Sequence, residues 1–137
     1  MEDRVPLPPA ARLLGRKVRE VDPAAGTITV EFNARVEFLN SAGTIQGGFL
    51  AAMLDSTLGP ALQATLGPGQ YAATLELKVS FMRPARAGVL TGRGRIVHRG
   101  RSIAFLEAEL RNPEGEIVAT ATATARIGAH GGTGKDC

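Results

Sequence analysis

The hydrophobic and polar positions along the chain predict two strands, one long helix and then four further strands. Residues 17–21 have a strand-like pattern, apolar and polar residues alternate over 27–32, and the turn residues Asp22 to Gly26 between them predict a hairpin. Four later segments carry a strand pattern, over residues 71–82, 89–98, 102–110 and 116–127. This order predicts an α+β fold in which a sheet of about six strands curls round one helix.

The segment between the two groups of strands, residues 46–66, predicts the helix. Its Phe49–Leu54 stretch is apolar at every position, and a helix that is apolar all round is a buried helix. Asp55 follows directly, so we expect the helix to carry a carboxylate into the interior, where it must be paired or used in catalysis. Because proline interrupts helical hydrogen bonding, we expect a kink at Pro60 or a first helical segment that ends near Leu58.

The remaining segments frame a single domain, as expected for a chain of 137 residues. Residues 1–14 form an N-terminal segment, in which a short helix is predicted over 7–14. Residues 15–127 form the domain itself. The Gly-rich, polar segment 128–137 is predicted to be a disordered tail.

Composition narrows the class of protein. Hydrophobic residues make up 44% and charged residues 21% of the chain, which is ordinary globular composition. Apolar runs are too short for a membrane-spanning helix, and the N-terminus lacks the apolar region of a signal peptide. The one cysteine, Cys137, has no partner for an internal disulfide, which fits the cytoplasm where we expect the protein.

Basic residues crowd into the segment 93–101, and this predicts a positive surface for a phosphate-bearing ligand. Solvated arginines on strand edges are an equally good interpretation. Nucleic acid is not an expected partner, since aromatic residues make up 4% of the chain and tryptophan is absent. The basic positions are Arg93, Arg95, His98, Arg99 and Arg101.

Four motifs in the chain resemble those of one family. Residues 40–48 read N-x-x-G-x-x-Q-G-G, and Asp55 follows seven residues later. Residues 74–88 read T-x-E-L-x-V-x-F-x-R-P-A-x-x-G, ahead of R-G-R-S at 99–102 and G-x-x-V-A-T-A-T at 115–122. This order resembles the hotdog-fold acyl-CoA thioesterases of the phenylacetic-acid-degradation (PaaI-like) type.

The resemblance implies a hotdog fold, in which a curved antiparallel sheet wraps round one long central helix. It also implies a homodimer whose sheets join edge to edge, pairs of dimers forming tetramers, and an active site at the dimer interface. The implied reaction is hydrolysis of an acyl-CoA thioester with a medium-chain or aromatic acyl group. We expect no cofactor and no membrane partner. We also expect no metal, because His98 and His130 have no metal-ligand spacing.

The resemblance also assigns roles to individual residues. The catalytic carboxylate falls on Asp55, and the backbone N–H that polarises the thioester carbonyl falls on Gly47 or Gly48. A polar loop residue falls on Asn40, and a strand hydroxyl that binds water or the acid falls on Thr74. Each position also has a structural interpretation: a paired acid, close helix–sheet packing, a turn asparagine and an ordinary strand threonine.

Gln46 stands where this family usually has histidine. A glutamine amide donates a hydrogen bond to a carbonyl, but it does not titrate near neutral pH. If the usual histidine only orients and polarises the substrate, Gln46 replaces it; if that histidine transfers a proton, turnover is slow or lost. A non-catalytic acyl-CoA-binding protein and a thioesterase acting on acyl-carrier protein are therefore the alternatives.

The chemistry of the helix gives an independent reason to expect a shared site. The free N–H groups at a helix start suit the negative charge that develops on a thioester carbonyl oxygen. Asp55 lies eight residues beyond Gly47, which is about 12 Å along a helix. One thioester therefore needs Asp55 from one chain and Gly47 from another, with Asp55 as general base or nucleophile. Arg99, Gly100 and Arg101 are candidates for binding the CoA phosphates.

Overall fold

The computed structural model describes residues 7–129, which form six strands and one long helix in the predicted order. A short helix precedes them, and a 3-10 turn at Val36–Phe38 leads out of the second strand. The elements are α1 (Pro9–Leu13), β1 (Lys17–Asp22), β2 (Thr27–Ala34), α2 (Gly47–Gln63), β3 (Gln70–Phe81), β4 (Gly88–Arg99), β5 (Ile103–Arg111) and β6 (Ile117–Ala129).

All six strands join one antiparallel sheet in the order β1-β2-β4-β5-β6-β3. The predicted hairpin is β1 with β2, and the turn between them closes with Gly26 N–H donating to Asp22 O at 2.8 Å. β1 and β3 are therefore the edges of the sheet within the described chain. α2 packs on one face of this sheet, which confirms the predicted α+β arrangement.

The helix approaches the sheet most closely at two glycines of β4. A Cβ on Gly92 would lie 2.4 Å from Thr57 Oγ1, and a Cβ on Gly94 would lie 3.1 Å from Leu58 Cδ2. Only glycine leaves room there for the helix backbone to lie against the strand. Thr57 is buried and donates its hydroxyl hydrogen to Met53 O at 2.8 Å, so its polar atom is satisfied inside the core.

The prediction that α2 is buried on every side is wrong for the single chain. Its buried residues follow helical spacing on one face, whereas Ala52, Asp55 and Gly59 are exposed. One six-stranded sheet covers only one side of a helix, so the other side, which carries Asp55 among small residues, stays open. The alternative in which the helix ends near Leu58 is also wrong, because α2 continues through Pro60 to Gln63.

A β-bulge in β3 corrects the predicted faces of that strand. Thr74 pairs with Ala125, but Glu76 pairs with Thr124, so one extra residue is inserted between them. The strand pattern over 71–82, taken as strict alternation, predicts Thr74 on the same face as Glu76, Lys78 and Ser80, and this prediction is wrong. The bulge puts Thr74 on the face that carries the helix, opposite the buried Ala125.

The ends of the chain differ slightly from the predicted boundaries. α1 lies within the predicted helical segment 7–14. β6 continues to Ala129, so residues 128 and 129 belong to the sheet and not to the predicted tail. The rest of that tail, with His130 and Cys137, lies outside the described residues. None of the helices between residues 7 and 129 has the length and apolar content needed to cross a membrane.

Candidate active site

The start of α2 is fixed by a short loop that closes on itself. Leu39 and Ile45 form an isolated antiparallel bridge, and Gln46 N–H donates to Phe38 O at 2.9 Å. The rings of Phe38 and Phe49 stack with their centroids 4.1 Å apart. These contacts hold the first turn of the helix against the segment that precedes the loop, so the backbone of this turn has a defined position.

Two glycines form the first turn of α2. The first N–H groups of a helix have no acceptor within that helix, and within residues 7–129 the Gln46 side chain makes no capping hydrogen bond. A Cβ on Gly47 would lie 3.0 Å from the Phe81 ring, so this glycine also serves packing. A Cβ on Gly48 would have no neighbour within 4 Å in the described chain. The helix start therefore presents N–H groups and bare backbone to an approaching carbonyl oxygen.

Asp55 and Thr74 are in direct contact. Thr74 Oγ1 donates to Asp55 Oδ1 at 2.8 Å, across the gap between α2 and β3. Both residues are exposed in the single chain. The bulge in β3 allows this contact, because it turns Thr74 toward the helix. The hydrogen bond uses one oxygen of the carboxylate, and a general base or nucleophile would act through the other.

Asn40 organises the loop before the helix. Its Oδ1 accepts hydrogen bonds from the N–H groups of Ala42 at 3.0 Å and Thr44 at 3.1 Å. Its own N–H donates to Thr44 O at 2.8 Å. This is the turn role that asparagine often has. The side-chain amide nitrogen makes no hydrogen bond to the residues described, so only the oxygen is used in holding the loop.

The basic turn after β4 contains one tethered and one exposed arginine. Arg99 contacts Thr65 O at 3.4 Å and Gln70 Oε1 at 3.4 Å, so its guanidinium fastens the turn to the segment that follows α2. Gly100 N–H donates to Ile103 O at 2.8 Å, and a Cβ on Gly100 would lie 2.7 Å from that oxygen. Arg101 is exposed. The predicted phosphate-binding role of the turn stays a prediction, for which Arg101 is the better-placed cation.

The candidate residues fall into separate groups along the helix. Asp55 and Thr74 are together, whereas Gln46, Gly47 and Gly48 lie at the helix start. The helix is continuous over the eight residues from Gly47 to Asp55, so these groups are about 12 Å apart along its axis.

Sequence reasoning missed Arg16. It donates from Nη1 to Ser56 Oγ at 3.1 Å and lies toward Ser56 O at 3.4 Å. Ser56 O is the carbonyl that would accept a hydrogen bond from residue 60 in an uninterrupted helix, and Pro60 has no N–H to give. The proline was a signal that a donor from elsewhere was needed.

In the part of the chain that the structure describes, no group of three or more acidic, His or Cys side chains is placed to hold a metal.

Comparison with known proteins decides the family. The model of the thioesterase superfamily matches residues 42–119, a stretch that includes all of α2 and β3. The chain belongs to the thioesterase superfamily.

The relatives of this thioesterase include PaaI-type proteins. A thioesterase-type, phenylacetic acid degradation-related protein of Ralstonia eutropha has 44% identity, with coverage of 89% of this chain and 92% of that chain and a TM-score of 0.87. The Escherichia coli PaaI protein has 26% identity, coverage of 87% and 84%, and a TM-score of 0.78. Human acyl-coenzyme A thioesterase 13 is 29% identical over 121 residues, which are 85% of this chain and 84% of that protein.

These similarities agree with the architecture of six antiparallel strands and one main helix. They confirm the hotdog fold and identify the protein as a PaaI-like thioester hydrolase. The acyl group and the assembly are separate questions, which depend on the geometry of the site.

Proposed function

We propose that the protein hydrolyses an acyl-CoA thioester with a medium-chain or aromatic acyl group, giving the free acid and CoA. The observation that carries this proposal is the hydrogen bond between Thr74 Oγ1 and Asp55 Oδ1 at 2.8 Å. It holds a carboxylate on the open side of α2, where a substrate has access. The acyl-coenzyme A activity in the name of the human relative supports the CoA ester as substrate.

The proposed reaction uses groups from both ends of the helix. N–H groups at Gly47 and Gly48 bind the thioester carbonyl oxygen and stabilise the negative charge that develops on it. Asp55, as general base, removes a proton from water while the water oxygen bonds to the carbonyl carbon. The C–S bond then breaks, and the CoA sulfur takes up the proton from Asp55.

The alternative role of Asp55 is that of a nucleophile. Its carboxylate oxygen then bonds to the carbonyl carbon, CoA leaves, and water hydrolyses the resulting mixed anhydride. Rapid quenching followed by intact-mass measurement separates the two routes, because only the nucleophilic route gives a protein heavier by one acyl group. Thr74 positions the carboxylate in either route.

We propose that two chains share each site. The separation of about 12 Å between Gly47 and Asp55 along one helix is too large for one thioester carbonyl, so the two groups come from different protomers. β3 supports this arrangement, because its outer edge pairs with no other strand in the described chain. Leu75 and Phe81 on this strand are 60% and 56% exposed. An open, apolar edge of this kind favours edge-to-edge pairing; two such dimers would form the proposed tetramer.

Substrate binding is proposed to extend from the catalytic residues to the basic turn. Arg101 is exposed and bonds the CoA phosphates, since a guanidinium matches phosphate geometry. Arg99 and Gly100 hold the turn in shape through their contacts with Gln70 and Ile103. Asn40 fixes the loop from its side-chain oxygen, and its amide N–H groups are then available to water or to the thioester.

One observation favours a second candidate function. Gln46 replaces the histidine usual in PaaI-like proteins, and its amide does not transfer a proton near neutral pH. A protein that binds acyl-CoA without turning it over is therefore the alternative. A thioesterase for acyl-carrier protein is a further one, because the basic turn suits an acidic carrier.

The deciding experiment is steady-state thiol release from a panel of acyl-CoA esters, with Asp55→Ala and Asp55→Asn as controls. The proposal expects turnover by the wild type and loss of most of it in both variants. Binding of acyl-CoA with no thiol release above the level of the variants would support the binding protein instead. Free CoA competes in the proposed reaction; activity on acyl-carrier thioesters that CoA does not inhibit would indicate the carrier enzyme.

A further inference from the structure

A cavity lies between α2 and the sheet, next to the candidate catalytic residues. Its volume is about 310 Å³, at the lower end of the range for small-molecule pockets. Thr74 forms part of its wall and donates to Asp55, so the cavity opens beside the carboxylate. Leu58 and Leu62 on the helix and Leu106 on the sheet make much of the lining apolar. The cavity is thus a largely apolar space next to Thr74, the residue that holds the candidate reacting carboxylate.

Small residues bound this cavity on two sides. On the sheet side, Ala123 and Ala125 of β6 form part of the lining. On the helix side the lining includes Gly59, one helical turn beyond Asp55 and therefore on the same side of the helix. None of these three residues has a side chain longer than a methyl group, so this part of the cavity has room for a flat ring, while Leu58, Leu62 and Leu106 are among the residues that line the rest.

Nothing in the packing of the described chain requires glycine at position 59. A Cβ added there has no heavy atom within 4 Å, whereas the Cβ atoms added to Gly92 and Gly94 meet the helix closely. Gly59 lies inside α2 and is not among the glycines with positive φ. A glycine in a helix interior also costs about 1 kcal/mol of stability relative to alanine.

Pro60 offers one local reason for the glycine. A proline ring crowds the Cβ of the residue before it, and glycine has no Cβ to crowd. This reason concerns the backbone of the helix, although Pro60 itself also lines the cavity. The two reasons are separated experimentally by replacing the proline first.

We infer that Gly59 determines which acyl groups the enzyme accepts, because its bare backbone keeps the cavity wide enough for an aromatic ring. This inference rests on the proposed thioesterase function. The occupant is the acyl group of the thioester, since Thr74 lines the cavity and holds the Asp55 carboxylate that acts on the carbonyl carbon. Gly59 is a specificity-determining residue and takes no part in the chemical step.

The test compares an aromatic with a short linear substrate in one protein background. Pro60→Ala is the reference, and Gly59→Val is added to it, so proline crowding is absent from both proteins. We expect kcat/KM for phenylacetyl-CoA to fall at least about tenfold, mainly through KM, because the added branched side chain overfills the cavity. The value for butyryl-CoA is expected to stay within about twofold of the reference. Equal losses for the two substrates, or no loss for phenylacetyl-CoA, would overturn the inference.

Two further measurements keep the outcome interpretable. In the Pro60→Ala background, Gly59→Ala is expected to raise the thermal midpoint, because alanine favours a helix over glycine; a lower midpoint would mean that protein atoms occupy the space. Calorimetric binding of non-hydrolysable thioether analogues of phenylacetyl-CoA and butyryl-CoA tests the cavity without turnover. A wild type that hydrolyses no ester would refute the proposed function, whereas selective loss of aromatic analogue binding in Gly59→Val would still support the cavity assignment.

Discussion

Thr74 on the edge strand β3 donates its hydroxyl hydrogen to Asp55 Oδ1 on the central helix, at 2.8 Å. The contact joins two residues that lie 19 positions apart in the chain, on two different elements. It occurs because a bulge turns Thr74 toward the helix, and it fixes one oxygen of a carboxylate that is exposed in the single chain. The pair therefore orients a candidate general base before any substrate binds.

Replacing Thr74 with valine tests this orienting role. Valine keeps the shape of threonine and removes the hydroxyl, so the Asp55 carboxylate loses its donor. A hydrogen bond to a charged group contributes about 1.5–3 kcal/mol, so we expect kcat to fall about 10- to 100-fold with little change in KM. Steady-state thiol release measures both constants.

Two controls accompany this variant. Thr74→Ser keeps the hydroxyl and is expected to retain most of the activity. In an Asp55→Ala background, Thr74→Val is expected to have no additional effect, because the two residues act as a unit. Equal kcat values for wild type and Thr74→Val would show that the hydrogen bond is unimportant for turnover.

Gln46 is predicted to act through its amide N–H groups at the thioester carbonyl. Gln46→Ala removes this donor, and we expect kcat/KM to fall about tenfold. Gln46→Glu places a negative charge where negative charge develops in the transition state, so its loss should be larger than that of the alanine variant.

The histidine variant at the same position tests the role of titration. Gln46→His restores the residue usual in the family, and we expect activity that varies with pH around 6.5, where imidazole titrates. The wild-type profile should lack this component. Unchanged activity in both Gln46→Ala and Gln46→Glu would remove Gln46 from the site.

The sequence predicts most of the sheet because each strand has one face against the core. β2, for example, buries Ile28, Val30, Phe32 and Ala34 at every second position, and such a period is visible without the structure. The start of β6 was predicted to within one residue, and its end extends to Ala129 because pairing with β3 continues there to Gln70. Local patterns are therefore sufficient for the number, order and type of elements.

Features that depend on distant contacts were not predictable in this way. The bulge at Thr74 arises from the register of β3 against β6 and carries no local sequence signal that we recognised. The apolar residues round Asp55 predict that it is buried. Asp55 is exposed in the single chain, because one sheet covers only one side of the helix. Arg16 reaches Ser56 across 40 residues, and only the fold brings them together.

The contact between Arg16 and Ser56 predicts an energetic coupling with Pro60. Pro60→Ala supplies an N–H for Ser56 O, and removing a proline from a helix interior should stabilise the protein by up to about 3 kcal/mol. Arg16→Met then costs less in the Pro60→Ala background than in the wild type, by about 0.5–1 kcal/mol. Denaturant unfolding of the four proteins in this cycle measures the difference. Purely additive free energies of unfolding would mean that Arg16 does not compensate for the proline.

The shared site predicts that two inactive chains restore activity when they are combined. Asp55→Asn removes the carboxylate, and Gly48→Val blocks the helix start at a position where an added Cβ has no neighbour within 4 Å in the described chain. Each variant alone is expected to be nearly inactive. In a mixed dimer, one site has both defects and the other has neither. Random reassociation of equal amounts makes half of the dimers mixed, so we expect about a quarter of the wild-type activity.

The experiment needs subunit exchange, for which the two variants are unfolded together and refolded at several mixing ratios. Activity should peak at equal amounts and vanish toward either pure variant. A mixture of Asp55→Asn with Thr74→Val serves as the control, because both residues belong to the same half of the site and their combination in one dimer leaves no intact site. If the first mixture stays as inactive as its components while the refolded proteins are dimeric, Gly48 and Asp55 must serve the same thioester from one chain. The separation of these residues along α2 argues for the opposite result. Pro60 lies beyond Asp55 in the helix, so a bend at the proline would not bring Gly48 and Asp55 closer together.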